Sequence, residues 1–356
     1  MRVVLFFFTC LFISTLAFAQ EQGNITISQK SKKRADTNYV KSYKNYLTLG
    51  VFTSVPINFL TITPKDSTIS PSTYKTNLAS ILGFTVGYKS IYAAIGFRVP
   101  AVEAEKSSTY GKTYFKAFAI GTQRTRFSVR FDYRKTSGFY NSDSLIYDPA
   151  TNTSGYLKRS DVNTKQYMLS GLYNFSWKKY SYLSSFNFSE HQLKTRVGFI
   201  LKSSLSSNIL KSDSSLINLT NTPTISDGIQ QLNYTSFVVG PGMGLNVVIA
   251  KRVYFSMMLF LSYDFVGYKF IDNNNNTIYK STSITAFFEE KMAIGYHSKR
   301  FYAGLKFTAD QIQVQTKDYK VGNLYGALTL DVGYRFNAPG ILKKVYKNTF
   351  TKFLGM

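Results

Sequence analysis

The sequence predicts a closed antiparallel transmembrane β-barrel of about twelve strands, with short periplasmic turns and long extracellular loops. Apolar and polar residues alternate over many segments, which is the period of a strand with one face in lipid. Short turns and longer polar loops alternate between these segments, as they do in outer-membrane barrels. After residue 20 no apolar stretch is long enough for a membrane helix. A chain that spans lipid without such helices must close its strands into a barrel.

Residues 1–19 are predicted to be a cleaved secretory signal peptide. Arg2 precedes an apolar run, and Ala17-Phe18-Ala19 supplies the small-x-small pattern of a cleavage site. A membrane anchor is the less favoured alternative, because the stretch is short and a polar segment follows it. Cleavage would remove Cys10, the one cysteine of the sequence. We therefore expect an exported protein without disulfides or thiolate metal ligands.

Composition points to a membrane rather than to nucleic acid. Aromatic residues make up 16% of the sequence, including 27 Tyr and 30 Phe, which fits the aromatic girdles of outer-membrane barrels. The net charge is +24, but an exported chain rarely meets nucleic acid. Outer-membrane lipids and lipopolysaccharide are the expected partners, and the bacterial outer membrane is the expected location. No cofactor is expected.

The chain divides into four predicted parts. After the signal peptide come a polar periplasmic leader at 20–42, disordered or loosely attached, the barrel at 43–336 and a basic tail at 337–356. Segment 180–204 is too long for one spanning strand of about ten residues. It reads either as one projecting strand or as two strands with a turn near 189–192. The twelve predicted strands are 46–63, 80–88, 91–99, 113–121, 126–135, 164–176, 180–204, 234–249, 253–267, 281–296, 301–315 and 324–336.

The alternation places ten charged residues on the lumen side of the predicted strands. They are Arg98, Arg126, Arg130, Asp132, Arg134, Asp264, Glu289, Lys306, Asp331 and Arg335. One interpretation is an electropositive lumen that favours anions, since rings of charge tune pore selectivity. The other is a lumen closed by salt bridges, because a twelve-stranded barrel is narrow. Gly240, Gly242 and Gly244 share one strand face and leave room for lumen contents or for strand bending.

Five predicted tight turns all carry Lys or Arg, and their residues are expected at the lipid interface. These residues are Lys89, Arg124, Trp177, Lys178, Lys179, Lys251, Arg252, Lys299 and Arg300. They either bind anionic headgroups, at about 1 kcal/mol for each cation near the surface, or are simply soluble turn residues.

The last predicted strand ends in Tyr334-Arg335-Phe336. An aromatic-terminated strand resembles the recognition signal of the outer-membrane barrel-insertion machinery, which is therefore an expected partner through Phe336. The tail beyond it contains four lysines and no acid among residues 337–356. It is predicted to be a basic amphipathic helix or a disordered extension on the periplasmic side.

Several stretches resemble a known family. They are Leu82-Gly83-Phe84-Thr85-Val86-Gly87-Tyr88-Lys89, Thr136-Ser137-Gly138-Phe139-Tyr140, Tyr173-Asn174-Phe175, Lys179-Tyr180-Ser181-Tyr182, Phe186-Asn187-Phe188-Ser189-Glu190-His191-Gln192 and Ala293-Ile294-Gly295-Tyr296. In these the chain resembles the Bacteroidetes outer-membrane family known as domain of unknown function 4421. The resemblance implies an outer-membrane location and a barrel fold, and it implies no activity.

The two histidines give little support to catalysis or metal binding. Ser189 and His191 are two residues apart and could share a strand face, as in a barrel-wall lipid hydrolase, but a serine and a histidine alone do not make a triad. His297, beside a basic turn, is predicted to be interfacial. No catalytic or metal-ligating set is therefore predicted, and the protein is not expected to be an enzyme. The sequence favours a narrow channel or binding protein for anionic or amphiphilic solutes. The alternatives are a structural or surface-interaction barrel with a salt-bridged closed lumen and, less favoured, a barrel-wall lipid hydrolase.

Overall fold

The computed structural model describes residues 35–65, 70–99, 107–148, 153–216, 230–271, 277–315 and 319–353. The predicted signal peptide and most of the predicted leader lie outside them. In chain order, the strands and helices of these ranges are β1 (Val40–Ser42), β2 (Tyr46–Pro64), β3 (Ser72–Lys75), β4 (Ile81–Tyr88), β5 (Ile91–Arg98), α1 (Ser107–Tyr110), β6 (Tyr114–Gln123), β7 (Phe127–Asp148), β8 (Thr153–Asn174), α2 (Leu183–Phe186), β9 (Glu190–Gln192), β10 (Arg196–Lys211), β11 (Gln231–Ala250), β12 (Val253–Ile271), β13 (Thr277–His297), β14 (Phe301–Gln315), β15 (Tyr319–Asn337) and α3 (Gly340–Phe353).

Twelve strands form one closed antiparallel ring, as the sequence predicts. The order is β2-β4-β5-β6-β7-β8-β10-β11-β12-β13-β14-β15, and β15 pairs back onto β2 from Tyr46–Asn337 to Pro64–Tyr319. This seam leaves no free edge between the first and last barrel strands, which is what defines a barrel. The short strand β3 bridges β2 and β7 at one end. Among the described helices, none is long and apolar enough to cross a membrane.

The outer wall of the barrel is apolar. Along β12 the odd-numbered residues from Leu259 to Phe265 are 41–48% exposed, whereas Phe260 and Asp264 between them are 1% exposed and face inward. A period of two thus sorts the strand into a lipid-compatible outer face and a mixed inner face. Contiguous exposed apolar surface of this extent marks an interaction surface, and on the outside of a closed barrel it suits contact with lipid.

The connections differ at the two ends of the barrel. The turn end carries the short connections at 89–90, 124–126, 251–252 and 298–300, together with β1 and α3. The loop end carries the longer connections. There, apolar and aromatic side chains from many strands form a core inside the barrel, made of Leu60, Ile62, Tyr74, Phe139, Val162, Leu210, Leu216, Leu232, Tyr234, Val266, Tyr268, Phe270 and Val321.

The ambiguous segment at 180–204 is neither of the predicted alternatives. Only its last part is barrel strand, since β10 begins at Arg196, and residues 175–195 turn into the lumen as α2 and β9. The predicted turn at 177–179 is present, but it leads into this inserted segment and not directly into the next barrel strand. The segment leaves the wall because Tyr180, Leu183 and neighbouring apolar residues pack inside the lumen against Met258 and Phe260.

The predicted leader and tail are both ordered where the structure describes them. Residues 35–42 contain β1, and Val40 is 4% exposed, so this part of the leader is not loosely attached. In the tail, α3 forms the helix that was one of the two predicted alternatives. Its Tyr346 packs edge-on against Tyr88 at 5.6 Å between ring centroids and lies 3.2 Å from the Ser90 hydroxyl.

Candidate functional site: a plug at the turn end of the lumen

Two chain segments distant in sequence combine inside the turn end, and we call them the plug: residues 35–43 and 175–195. Strand β1 pairs antiparallel with β9, with Val40 opposite Gln192, in a two-stranded sheet separate from the barrel ring. The Tyr43 N–H donates to the Ser189 carbonyl at 2.8 Å and extends this pairing. The N-terminal segment is therefore held in the lumen by backbone hydrogen bonds.

The wall makes room for the plug at glycines. The Tyr180 ring is fully buried and lies over Gly198 of β10 and Gly244 of β11, where any Cβ would overlap the ring. Gly244 thus provides the space for lumen contents that the sequence predicts. A phenol packed this closely fixes the depth to which the plug enters the barrel.

Buried amides join the plug to the wall. The Gln192 carbonyl oxygen accepts from the Ser181 N–H at 2.9 Å, and its amide donates to the Lys179 carbonyl at 2.7 Å. From the wall, Asn246 donates to the Ser181 carbonyl at 2.8 Å and Asn174 donates to the Tyr180 carbonyl at 2.9 Å. These bonds satisfy backbone groups that the irregular plug would otherwise leave unpaired.

Glu190 brings a carboxylate into the plug and is 1% exposed. Lys44 approaches it at 2.6 Å, the Thr125 hydroxyl donates to it at 2.5 Å, and the Ser181 hydroxyl donates to its other oxygen. A buried charge is tolerated only when it is paired and hydrogen-bonded in this way. Glu190 therefore ties the plug to the β6–β7 turn and to the start of β2.

Arg335 belongs to the last barrel strand and is among the largest fully buried side chains of the described residues. Its guanidinium donates to the Phe188 carbonyl of the plug at 2.5 Å and to the Ser298 carbonyl of a turn at 2.8 Å. It also lies 4.2 Å from the centroid of the Tyr43 ring. Within the described ranges, no carboxylate forms an ion pair with it. Arg335 thus lies in the lumen as predicted, but its guanidinium hydrogen-bonds to the plug and does not line an open pore.

The two histidines stack inside the plug site, with ring centroids 5.1 Å apart. His297 Nε2 lies 2.6 Å from the Ser184 carbonyl and so carries the proton, while Nδ1 accepts from Arg335 at 3.1 Å. The predicted interfacial position of His297 is wrong, because its side chain is fully buried. Burial, and then the charge of Arg335, lower the pKa of His191 to about 4.

Ser189 and His191 do not have the geometry that the lipid-hydrolase alternative requires. His191 Nδ1 lies 3.5 Å from the Tyr43 hydroxyl, and no hydrogen bond joins His191 to Ser189. The Ser189 hydroxyl is buried without a hydrogen-bond partner in the described structure. Nucleophilic catalysis needs a base within reach of the hydroxyl, which is not the arrangement here. The residues that the structure describes also contain no cluster of potential metal ligands.

The charges of the mid-lumen, between the plug and the loop-end core, are largely paired. Asp132 lies 2.5 Å from Arg130, and Asp331 lies 2.7 Å from Lys306. Glu289 is buried and contacts Lys291 at 2.9 Å. A second lysine, Lys202 of β10, also pairs with Glu289 and was not among the predicted lumen residues.

The other predicted lumen residues have different surroundings. Asp264 accepts from the Ser236 hydroxyl at 2.5 Å, and Arg134 lies 3.5 Å from the Tyr325 ring centroid. Arg98 is half-buried at the loop end of β5. Arg126 is not a lumen residue: it lies in a turn, is exposed, and donates to the hydroxyl of Tyr173 on the outer face at 2.6 Å. The strand begins one residue later than predicted, so the inward-outward alternation does not apply to Arg126.

The residues predicted at the lipid interface, which are eight basic residues and Trp177, all lie at the turn end. Lys178, Lys179, Lys251, Arg252 and Lys299 are exposed, whereas Lys89, Arg124, Trp177 and Arg300 are half-buried.

Some of these turn residues have roles inside the protein. Arg300 donates to the Arg335 carbonyl at 2.9 Å, and Lys89 donates to Asn45 at 2.5 Å. Three cations, Lys179, Lys194 and Arg196, surround the Tyr39 ring at 4.5–5.3 Å from its centroid.

Sequence reasoning missed several charged residues of the described lumen, among them Lys44, Arg159, Glu190, Lys202 and Lys291. Lys202 lies between the outward-facing Leu201 and Ser203, so alternation along the strand could have placed it in the lumen. It was missed because the first residue of that strand could not be defined from the sequence. Glu190 carries no such signal, because its burial comes from a segment that leaves the strand pattern altogether.

Several solved structures share features with this chain at low similarity. The toluene transporter TodX of P. putida is 10% identical, with 83% of this chain and 91% of that chain covered and a TM-score of 0.30. The translocator domain of the autotransporter NalP from Neisseria meningitidis is 13% identical, with 82% and 88% covered and a TM-score of 0.37. The β domain of the Bordetella autotransporter BrkA is 11% identical, with 82% and 99% covered and a TM-score of 0.32.

TM-scores this low do not establish a shared fold, and the barrel assignment rests on the strand pairing. No curated protein matches the chain in sequence. A family model for a domain of unknown function, DUF4421, matches residues 34–336, which covers the plug and the whole barrel ring to Phe336. The chain therefore belongs to the DUF4421 family.

Proposed function

We propose that the protein is an integral outer-membrane barrel with a closed lumen, which serves as a structural or surface-interaction protein rather than as an open channel. The observation that carries this proposal is Arg335, a buried cation of the wall that donates to the Phe188 carbonyl of the plug. The apolar outer wall supports the placement in a membrane, and the short turns support a periplasmic turn end.

The lumen is obstructed at three levels. The plug fills the turn end, paired charges such as Lys306 and Asp331 cross the middle, and an apolar core fills the loop end. An open pore of this strand number needs a continuous water-filled path, and each level removes part of that path. Closure at three levels favours a barrel that does not conduct.

The loop end supports a role at the cell surface. Strands β7 and β8 pair beyond the short neighbouring strands, as far as Asp148 and Thr153. At the tip of this hairpin Leu145 is 66% exposed and Tyr147 is 58% exposed. Exposed apolar groups on a projecting hairpin suit contact with another surface.

Conductance in planar bilayers tests the proposal. We expect the refolded protein to give no channel activity, either unaltered or when residues 180–192 are replaced by a short Gly-Ser linker, because the mid-lumen ion pairs and the loop-end core still obstruct the path. Heat-dependent migration on a denaturing gel controls for a folded barrel in both proteins. Steady conductance by the unaltered protein would overturn the closed lumen. Recovery outside the outer-membrane fraction of cells would overturn the location.

A gated anion channel is the second candidate, because one lumen cation stays accessible. The Arg130 side chain is 42% exposed inside the barrel despite its pairing with Asp132. If the plug opens, this cation would favour anions. Anion-selective currents that become cation-selective in Arg130→Glu would support this candidate, and absence of any current in both proteins would exclude it.

A further inference from the structure

Three lysines stand side by side on the outer wall, and we call them the lysine ladder: Lys116, Lys135 and Lys165. In the pairing of β6 with β7, Lys116 is directly opposite Lys135, and in the pairing of β7 with β8, Lys135 is directly opposite Lys165. Residues that are directly opposite across antiparallel strands point to the same face. The ladder is therefore one row of three cations on adjacent strands.

The neighbouring residues show that this row faces outward. Phe118 and Tyr167 each lie two positions nearer the turn end than Lys116 and Lys165. They are 40% and 42% exposed and belong to the lipid-facing band. Tyr133 and Tyr167, which are opposite each other, have ring centroids 5.1 Å apart. The ladder thus lies just above a pair of tyrosines, in the position of an aromatic girdle.

Such a row is unfavourable without a partner. Like charges directly opposite one another destabilise a sheet, and strands about 4.8 Å apart place the outer two lysines only about 10 Å from each other. Within the residues that the structure describes, none of the three has an ion-pair partner. The outward-facing neighbours are also not acidic: they are Tyr114, Phe118, Tyr133, Ser137, Asn163 and Tyr167. Among the described residues nothing compensates this charge, so an anionic group from outside them would stabilise the row.

The height of the ladder indicates the source of that charge. On β7 the outward apolar residues run from Phe127 to Tyr133, and Lys135 follows eight residues after Phe127. Eight residues span about 27 Å along a strand, or about 20 Å of membrane height at a tilt of about 40°. This is close to the apolar band of about 25 Å, so the ladder lies where headgroup phosphates begin on the loop side.

We propose that the lysine ladder binds the phosphates of an outer-leaflet phosphorylated glycolipid of the lipid A type, with its acyl chains against the wall below. This proposal rests on the outer-membrane placement and orientation proposed above. Lysine is a suitable point-charge partner for phosphate. Three adjacent cations match a headgroup with more than one phosphate better than a phospholipid with a single phosphate, and the apolar and tyrosine surface beneath them accommodates acyl chains.

Native mass spectrometry of the full-length refolded protein in detergent tests this site. The protein is titrated with bisphosphorylated lipid A, dephosphorylated lipid A, phosphatidylglycerol or inorganic phosphate. The test variant is Lys116→Gln/Lys135→Gln/Lys165→Gln. The matched control is Lys178→Gln/Lys251→Gln/Lys299→Gln, which removes the same charge from exposed positions at the turn end. Heat-dependent gel migration reports whether each variant is folded.

We expect the unaltered protein and the control to retain bisphosphorylated lipid A, and the folded ladder variant to bind it at least tenfold more weakly. Equal retention by the ladder variant would overturn the site, as would equal retention of dephosphorylated lipid A. Equal binding of phosphatidylglycerol, or displacement by inorganic phosphate, would overturn the assignment to a glycolipid. If the ladder variant does not fold, a single Lys135→Gln variant must show weakened binding. Bilayer conductance tests the closed lumen separately, so a failure of that proposal can be told apart from a failure of the lysine ladder.

Discussion

The two ends of the lumen are filled by different chemistry. At the turn end the plug is held by buried polar and charged groups, among them Glu190 and Arg335, and a buried charge is costly unless it is paired or hydrogen-bonded. At the loop end the core is a large cluster of aliphatic and aromatic side chains such as Leu232 and Phe270, with an ion pair from the buried Arg159 to Asp161 at its margin. One end depends chiefly on directional bonds, and the other chiefly on packed area.

This difference determines which substitutions each end tolerates. Apolar cores accept substitutions that conserve volume, because packing is not directional. A buried polar network loses a full desolvation penalty when one partner is removed, because the other partner stays unsatisfied. The turn end should therefore be sensitive to chemistry, and the loop end to volume. Trp177, the only tryptophan of the sequence, lies at the base of the plug and reports on that end by its fluorescence.

Arg335→Met should produce the largest effect. It removes the donors to the Phe188 and Ser298 carbonyls and leaves both oxygens buried without them. We expect a loss of about 4 kcal/mol in the free energy of unfolding, with a shifted Trp177 emission already in the folded state. Denaturant titration followed by gel migration and by fluorescence measures both. Arg252→Met, at an exposed turn, is the control at about 0–1 kcal/mol, and equal losses in the two variants would contradict the contrast.

Leu232→Ala tests the loop end. Leu232 is 1% exposed, and its truncation leaves a cavity in the apolar core. We expect a loss of about 3 kcal/mol, whereas Leu232→Met should cost less than about 1.5 kcal/mol because it conserves volume. The same denaturant titration measures these losses. The comparison between the ends predicts unchanged Trp177 emission in both folded variants, and an altered emission would show that the two ends are coupled.

Gly244→Ala should destabilise the plug through volume alone. The added Cβ overlaps the Tyr180 hydroxyl, so the ring or the strand must move. We expect a loss of about 2 kcal/mol with a change in Trp177 emission. Gly267→Ala is the matched control, because nothing lies within 4 Å of the added Cβ. A plug that tolerates both substitutions equally would mean that Tyr180 does not fix its depth.

Acid should loosen the turn end selectively, with the smallest effect of the four. The pKa of His191 is about 6.5 when unfolded and about 4 in the plug. The unfolded state therefore takes up the proton first, and this contribution is fully present above pH 6.5 and lost as pH falls towards 4. Between pH 7.5 and 4.5 we expect His191→Gln to lose about 1–2 kcal/mol less stability than the unaltered protein. An identical loss of stability in both proteins would show that His191 does not contribute to the acid sensitivity.

The barrel was predictable because its signal is repeated. Alternation along strands such as β12 and the short turn at 251–252 recur around the ring, so a local error at one strand does not change the fold class. The strand count of twelve survives even the misassigned segment at 180–204, because β10 occupies the place of the strand predicted there. The predicted lumen residues Asp132, Lys306 and Asp331 follow from the same period.

The plug was not predictable because its cause is tertiary. Tyr180 is buried only because glycines of two distant strands leave space for it, and no local pattern encodes that match. His297 ends a strand next to a turn, which locally resembles an interface, yet its surroundings come from Ser184 of the plug and from Arg335. The first strand β1 is likewise a partner of β9, which lies far along the chain.

The position of Arg335 has a consequence for biogenesis. Arg335 lies on β15, whose pairing with β2 is the seam that closes the ring, and β2 directly follows the segment held in the lumen. A closed seam without the plug would lose the hydrogen bond from Arg335 to the Phe188 carbonyl. Closure of the wall and seating of the plug therefore stabilise each other.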